Sequence, residues 1–439
     1  MKTRCILFSA MILKQSLVML LLAVPAAAAP MHVDLPTVMK LAGANNDEIA
    51  QARARHTETI AESKLAWQRF WPGLTLGAGY RRADGNVQDI AGAVFDVSKQ
   101  QYTVGPNVMI DWSPGDMYYS ALAAKQKALA AEQLAEKARR DIVTQATVRY
   151  YGLLAGEAAL AILEDDLRLT QEYEKQIGGA VEAGTAFRAD LLRVKTQVSR
   201  EKLAIRQHEE LRDLAAAALA EILRLPAETE LRPAKADLVP VRLLERATGV
   251  ASLISQATQH RPEMKAAAAV NLAASSERER ARVAPLIPSV QAGYGFGGLG
   301  GGFNGDLGNF DDSQNVFVGL GWKIGPGGLF DKQRMVIAHA REEAAQLQAA
   351  QVKAAIGREV VEAAARAKSA HDQIAINDEA VQAAEEMVKL ARERQASQLG
   401  VVLEYLLARE ELTRARQSRV RAVAAFNQAQ HELKRAVGR

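Results

Sequence analysis

The chain reads as two copies of one pattern, and that duplication constrains its fold more than any other property. The halves align at an offset of roughly 210 to 216 residues. Asn46, Asp47, Glu48 and Ile49 answer to Arg261, Pro262, Glu263 and Met264; Trp71 and Pro72 answer to Ile287 and Pro288; Ala78, Gly79 and Tyr80 answer to Ala292, Gly293 and Tyr294. Farther on, Trp112 matches Trp322 and Asp190 matches Glu404. The repeats cover 30–225 and 244–439, and the segment 226–243 holds Pro226, Pro233 and Pro240, which cannot continue a helix and mark a connector.

Each repeat predicts helix, two strands, helix, helix. Six segments, 34–71, 115–182, 187–225, 244–284, 329–397 and 401–437, are rich in Ala, Leu, Glu, Lys, Arg and Gln with apolar residues at three and four residue spacing. Two are long, about 68 residues or roughly 100 Å each, and four run to roughly 55–60 Å. Two short helices end to end therefore match one long one. Helices of this length cannot bury an apolar stripe alone and must lie side by side as in a coiled coil.

Between the helices, four short stretches alternate with period two, the mark of a strand with one apolar face. They span about 73–82, 101–112, 289–297 and 315–324. Leu74, Leu76, Ala78 and Tyr80 share a face, as do Tyr102, Val104, Pro106, Val108, Ile110 and Trp112. The same holds for Val290, Ala292, Tyr294 and Phe296, and for Val316, Val318, Leu320, Trp322 and Ile324. Opposite them stand Thr, Gly, Asn, Gln, Asp and Lys, which suit a wet lumen. Each stretch has about the 9–11 residues that a tilted strand needs to cross a bilayer, and Tyr80, Tyr102, Trp112, Tyr294 and Trp322 are candidates for the membrane-interface aromatics. A half-buried sheet of a soluble protein is the alternative reading of the same alternation. Pro106 removes one ladder donor and predicts a bulge or break.

The first 29 residues have the layout of a secretory signal: Lys2, Arg4 and Lys14, then the apolar Leu17–Val24, then Ala27, Ala28 and Ala29 for cleavage. The only cysteine, Cys5, precedes the apolar run, so it cannot be a lipid-attachment site following that run, and one Cys forms no internal disulfide. The formal net charge of +4 is mostly this address, because the segment carries three of the 55 basic residues and none of the 51 acids. What remains is close to neutral, which gives no case for a nucleic-acid partner. Beyond Ala29 no apolar run approaches the ~18 residues of a membrane helix.

Four strands cannot close a barrel, and a membrane sheet with open edges leaves backbone groups unsatisfied in hydrocarbon. Other subunits must complete it. Two chains would give eight strands and an interior filled by side chains, whereas three would give twelve and room for water. The glycine-rich inner face favours the homotrimer.

Taken in order, these residues resemble the TolC-type outer-membrane efflux protein family. The resemblance rests on the duplicated plan, on Arg261, Pro262, Glu263 and Met264, and on Pro72 and Pro288 leading into strands that run to Gly-Tyr. Gly184 followed by Asp190, and Glu404, Tyr405, Leu406, Leu407 and Ala408, add to it. It implies a mainly α fold with a small membrane β part: a twelve-stranded outer-membrane β-barrel formed by a trimer, continuing into a long periplasmic α-helical barrel. The implied function is a passive exit duct, with a periplasmic adaptor (membrane fusion protein) and an inner-membrane pump as partners besides outer-membrane lipid. A periplasmic coiled-coil adaptor or scaffold without a pore is the alternative function. Asp47 departs from the family, standing where its first signature has proline.

The resemblance also implies an acidic constriction near the second tip turn, which maps onto Glu404 with Asp190 as its counterpart; solvated surface acids are the alternative. Gly184, Arg188, Gln398, Leu399 and Gly400 are candidate adaptor contacts at the two turns. No catalytic, cofactor or metal site is expected. The seven His are scattered, and the GxGxxG of Gly295, Gly297 and Gly300 is followed by loop residues instead of a helix, so it is no dinucleotide site. An extracellular loop is expected there, and the spacing of Asp306, Asp311 and Asp312 fits no EF-hand.

Overall fold

The computed structural model describes residues 30–439 apart from 227, 236, 245–248, 304–307 and 398–400. The expected export signal and Asp306, Gln398, Leu399 and Gly400 therefore lie outside the described residues. The elements run β1 (Met31–Val33), α1 (Leu35–Asn45), α2 (Asp47–Gln68), β2 (Gly73–Gln88), β3 (Val94–Trp112), α3 (Pro114–Glu182), α4 (Arg188–Leu223), β4 (Leu231–Pro233), α5 (Val250–His260), α6 (Pro262–Val283), β5 (Ser289–Phe303), β6 (Asp311–Gly321), α7 (Lys332–Ala396) and α8 (Val402–Val437).

The first helix of each repeat is broken, where the sequence suggested one continuous segment. Asn46 has an extended backbone and its Oδ1 accepts from the Glu48 N–H at 2.9 Å, so it caps α2 instead of continuing α1. In the second repeat Arg261 takes the extended conformation and Pro262 opens α6, because proline has no N–H to give to the preceding turn.

The chain divides into two compact units that cut across the repeats. One combines the chain up to Ala44 with Gln145–Pro240 and Ala370–Gln428; the other combines Asn45–Thr144, Val241–Ser369 and Ala429–Arg439. In the first, part of the connector pairs with the start of the described chain, since β4 runs parallel to β1 with Met31 opposite Leu231. Its apolar cluster of Tyr173, Ile177, Val194, Ala391, Val402, Tyr405, Leu406 and Ala408 draws on α3, α4, α7 and α8.

In the second unit, small residues let the helices approach closely. Ala257, Ala363, Ala367, Ala429 and Ala436 pack with Leu253, Ile356, Val360 and Leu433, and the fully buried branched side chains each contribute about 1.5–3 kcal/mol. The signature arginine has a structural task here. Arg261, 2% exposed, forks onto Glu263 (Nη2–Oε1 2.6 Å, Nε–Oε2 3.2 Å) and reaches Glu359 Oε2 at 2.6 Å. Arg435 of α8 joins Glu359 at 2.8 Å and Asp141 of α3 at 2.6 Å. This network ties α3, α6, α7 and the end of α8 together.

The same unit carries one antiparallel four-stranded sheet, ordered β2-β3-β5-β6, with β2 and β6 as its outer strands. The strands are longer than their alternation suggested. Residues 83–88 extend β2 past the expected 73–82, and β6 is displaced to Asp311–Gly321, so Trp322 and Ile324 lie beyond its end. Likewise β5 runs through the glycines to Phe303 where the sequence predicts a loop. Glycine permits this because two backbones can approach where no Cβ intervenes. A Cβ on Gly105 would collide with the Phe296 carbonyl oxygen, and one on Gly297 with that of Val104. At this crossing the β3–β5 pairing is interrupted, resuming at Asn107–Gly295 after Val104–Gly298 in unchanged register. The feature at Pro106 is thus a local break and no bulge, because the same number of residues is skipped on both strands.

Candidate functional site

Register decides whether the four apolar faces meet. They do: Leu74 lies opposite Val108, Val108 opposite Tyr294 and Tyr294 opposite Val316. The next row toward the helices joins Ile110, Ala292 and Val318, and the one after it joins Trp112, Val290 and Leu320. Leu74, Leu76, Val104, Val316, Val318 and Leu320 are all exposed, so one whole face of the sheet presents apolar side chains outward. The other face pairs Thr75 with Asn107, Asn107 with Gly295 and Gly295 with Asn315.

Aromatic rows bound the apolar face. Tyr80 lies opposite Tyr102, and its hydroxyl bonds the Gln100 side chain at 3.1 Å. The Tyr102 ring covers Gly300 and stacks on Phe310 at 5.7 Å, while Phe310 covers Gly298. At the helix end stand Trp112 and Trp322, whose Nε1 donates to the Leu286 carbonyl at 3.2 Å. Ten residue steps on β3 separate Tyr102 from Trp112, about 34 Å along the strand. A tilt of 35–45° reduces that to about 26 Å, close to the apolar band of roughly 25 Å in outer-membrane barrels. Tyr294 falls between the two rows, beside Val108. Among the described residues no helix is long and apolar enough to cross a membrane.

The other unit holds the two helical turns. The first closes on Gly184 in the left-handed region (φ +73°), with the Thr185 N–H bonded to the Ala180 carbonyl at 2.8 Å, a Schellman arrangement. Gly184 and Arg188 are exposed. Asp190 is the third residue of α4 and Glu404 the third of α8, equivalent places where the helix dipole favours a carboxylate. Each has an arginine partner that sequence spacing did not single out. Arg193 holds Asp190 at 2.9 Å, and Arg394, across the second turn, holds Glu404 at 2.7 Å. Nearby, Tyr173 and Tyr405 lie 4.7 Å apart, and Gln395 bonds the Tyr173 hydroxyl. Burial pushes that phenol up to about 12, so it stays a hydrogen-bonding group at any ordinary pH.

Sequence reasoning missed a buried charge cluster in this unit because its members are far apart in the chain. Arg409 of α8 pairs with Asp166 of α3, whose Oδ2 accepts from Thr413 at 2.8 Å. Beside them Glu201 of α4, 6% exposed, accepts from Thr170 at 3.0 Å and Gln197 at 3.1 Å through Oε1, while its Oε2 has no hydrogen-bond partner among the described residues. Burial pushes the Glu201 carboxyl above its ordinary range and Asp166 adds to this, against the pull of Gln197, Thr170 and Arg409. A carboxyl with a raised pKa binds a proton more readily folded than unfolded, so its cost grows as pH rises from the unfolded value through the folded one. Glu201→Gln should therefore raise stability by on the order of 1 kcal/mol at pH 8. The gain should shrink as pH falls toward 4.5, the value for a free glutamate. Urea melts at the two pH values test this; an equal gain at both would rule out titration of Glu201 as the cause.

An exposed apolar sheet face between aromatic rows, with a reverse face of glycines and polar side chains interrupted by exposed Met109 and Phe317, defines a β-barrel membrane protein that supplies part of a barrel. Residues 38–223 and 253–439 match the outer membrane efflux protein family, and the chain belongs to it. It is an outer-membrane channel protein of the efflux class. No curated protein sequence matches the chain. Solved structures share the fold. A membrane protein from Pseudomonas aeruginosa is 21% identical with a TM-score of 0.77, over 92% of this chain and 93% of that one. The outer membrane protein VceC from Vibrio cholerae is 19% identical (TM-score 0.75; 92% and 96%), and the Neisseria gonorrhoeae MtrE outer membrane channel in its open state is 18% identical (TM-score 0.73; 92% and 88%).

Proposed function

We propose that three copies of this chain close one twelve-stranded barrel, the β6 edge of each sheet pairing with the β2 edge of the next, and form the exit duct of a tripartite export system. The observation that carries this reading is a sheet with an outward apolar face and two outer strands whose free edges hydrocarbon would leave unsatisfied. Twelve strands leave a water-filled lumen where eight would fill with side chains. The polar reverse face, with Asn107, Gln291, Gly295 and Gly319, would line that lumen.

In this reading a periplasmic adaptor and an inner-membrane pump deliver cargo and the duct conducts it passively. The exposed turn at Gly184 and Arg188, with Gln398, Leu399 and Gly400 at the second turn, would meet the adaptor. Glu404 and Asp190, three copies each, would set the charge of a narrow aperture, tempered by Arg394 and Arg193. The test is native mass spectrometry of the detergent-extracted protein with planar-bilayer recording. A trimer with ion-conducting steps is expected; a monomer, or a trimer that carries no current, would sink the proposal. In the same recordings Glu404→Ala should lower the preference for cations over anions, and an unchanged reversal potential would remove Glu404 from the aperture.

A further inference from the structure

The link between β6 and α7 is more elaborate than the topology requires. After Trp112 the first repeat enters α3 with only Ser113 between, whereas nine residues, Lys323–Asp331, separate Trp322 from α7. They form a braced loop. Leu329 N–H bonds the Lys323 carbonyl at 2.8 Å, Gly325 N–H the Leu329 carbonyl at 3.0 Å, and Gly327 N–H the Asp331 carboxylate at 2.8 Å. Arg334 fastens the loop to α3, reaching the Gly327 carbonyl at 3.2 Å and Asp116 at 3.1 Å. Gly325 and Gly327 supply positive φ at +95° and +77°.

Phe330 stands out in this frame. It holds φ +67°, a region that disfavours any residue with a Cβ, and its side chain is 84% exposed. Packing does not account for a strained aromatic that touches so little of its own chain. The loop also continues the outward stripe of β6: Val316, Val318 and Leu320 lead through Trp322 to Ile324, all exposed, and Ile324 bridges to Leu329. Lys332, exposed, follows at once. Ring, branched apolar side chain and cation at the helix-side end of an apolar band make the composition of an interfacial anchor.

We propose that the Lys323–Asp331 loop is a membrane-surface anchor, with Phe330 and Ile324 in the interfacial layer of the leaflet at the helix-side rim and Lys332 beside phospholipid phosphates. The inference rests on the outer-membrane reading, and its occupant follows from the continuity of the loop with the outward face of β6. A neighbouring copy of the chain covering Phe330 is the rival.

The sole cysteine lies in the expected export signal, so Phe330→Cys would be the only thiol of the exported chain. The full-length protein carrying a nitrobenzoxadiazole probe there is reconstituted into phosphatidylcholine–phosphatidylglycerol vesicles doped with lipids bearing a nitroxide near the headgroup or near the chain end. Val318→Cys on the sheet and Gln351→Cys on exposed α7 serve as references. The probe at 330 should be quenched at least twofold more by the shallow nitroxide than by the deep one. The probe at 318 should respond to the deep one and that at 351 to neither. If 330 behaves like 351, or is shielded from both lipid nitroxide and aqueous iodide as a subunit contact would be, the anchor is overturned while quenching at 318 leaves the barrel standing. Absence of quenching at 318 would overturn both.

Discussion

Gly297→Ala should abolish insertion into the outer membrane while leaving the helical signal of the chain intact. The added methyl has nowhere to go: it would meet the Val104 carbonyl oxygen and the Gly105 Cα on the adjoining strand, in a conformation of φ +157°. Both obstacles are backbone, which no rotamer change relieves. The strands must move apart at a point where their pairing is already interrupted, so the cost should exceed the ~1 kcal/mol of a typical substitution several-fold. Gly319→Ala is the matched control, since nothing lies within 4 Å of its Cβ position. Outer-membrane fractionation of both variants measures the effect. Equal yields of the two would show that the Gly105–Gly297 crossing does not limit assembly.

Arg261→Ala should lower the melting temperature of the detergent-solubilised chain by roughly 3–4 °C. The arginine is buried and binds two carboxylates. Burial alone would push Glu359 up, but Arg261 and Arg435 more than reverse this and hold it below its ordinary value. Removing Arg261 leaves Glu263 without its fork and Glu359 with Arg435 only. Stranding a buried charge costs 3–5 kcal/mol, and about 3 is expected because Glu359 is partly exposed. Circular dichroism melts provide the measurement, and Arg261→Lys should recover only part of the loss, since an ammonium cannot fork onto Glu263. A melt unchanged in the alanine variant would show that the signature motif is not a structural clamp.

The sequence was legible wherever one period held over enough residues. Alternation placed Leu74, Val108, Tyr294 and Val316 on apolar faces, and the register then aligned them in a single row. Alternation falls silent where glycines and charges replace apolar residues, which is why it does not reach 83–88 or 298–303. Helical periodicity carried through the breaks at Asn46 and Arg261 because a one-residue cap hardly disturbs the spacing of apolar residues on either side. The partners of the candidate acids were hidden for another reason. Arg394 meets Glu404 across a turn, and Asp166 meets Arg409 from 243 positions away, distances at which only the packed helices bring charges together. Phe330 gave no signal at all, since its unusual φ is a property of the loop around it.

The two free edges of the sheet have a genetic consequence. In a ring of three, each chain offers one edge to each neighbour, so a chain blocked along β6 spoils the closure even when both companions are sound. Coexpressed with an equal amount of normal chain and mixing at random, it would leave only about one ring in eight whole. Edge lesions in β2 or β6 should thus behave as dominant alleles, whereas lesions confined to the helices would be recessive so long as the altered chains are degraded before they meet their partners.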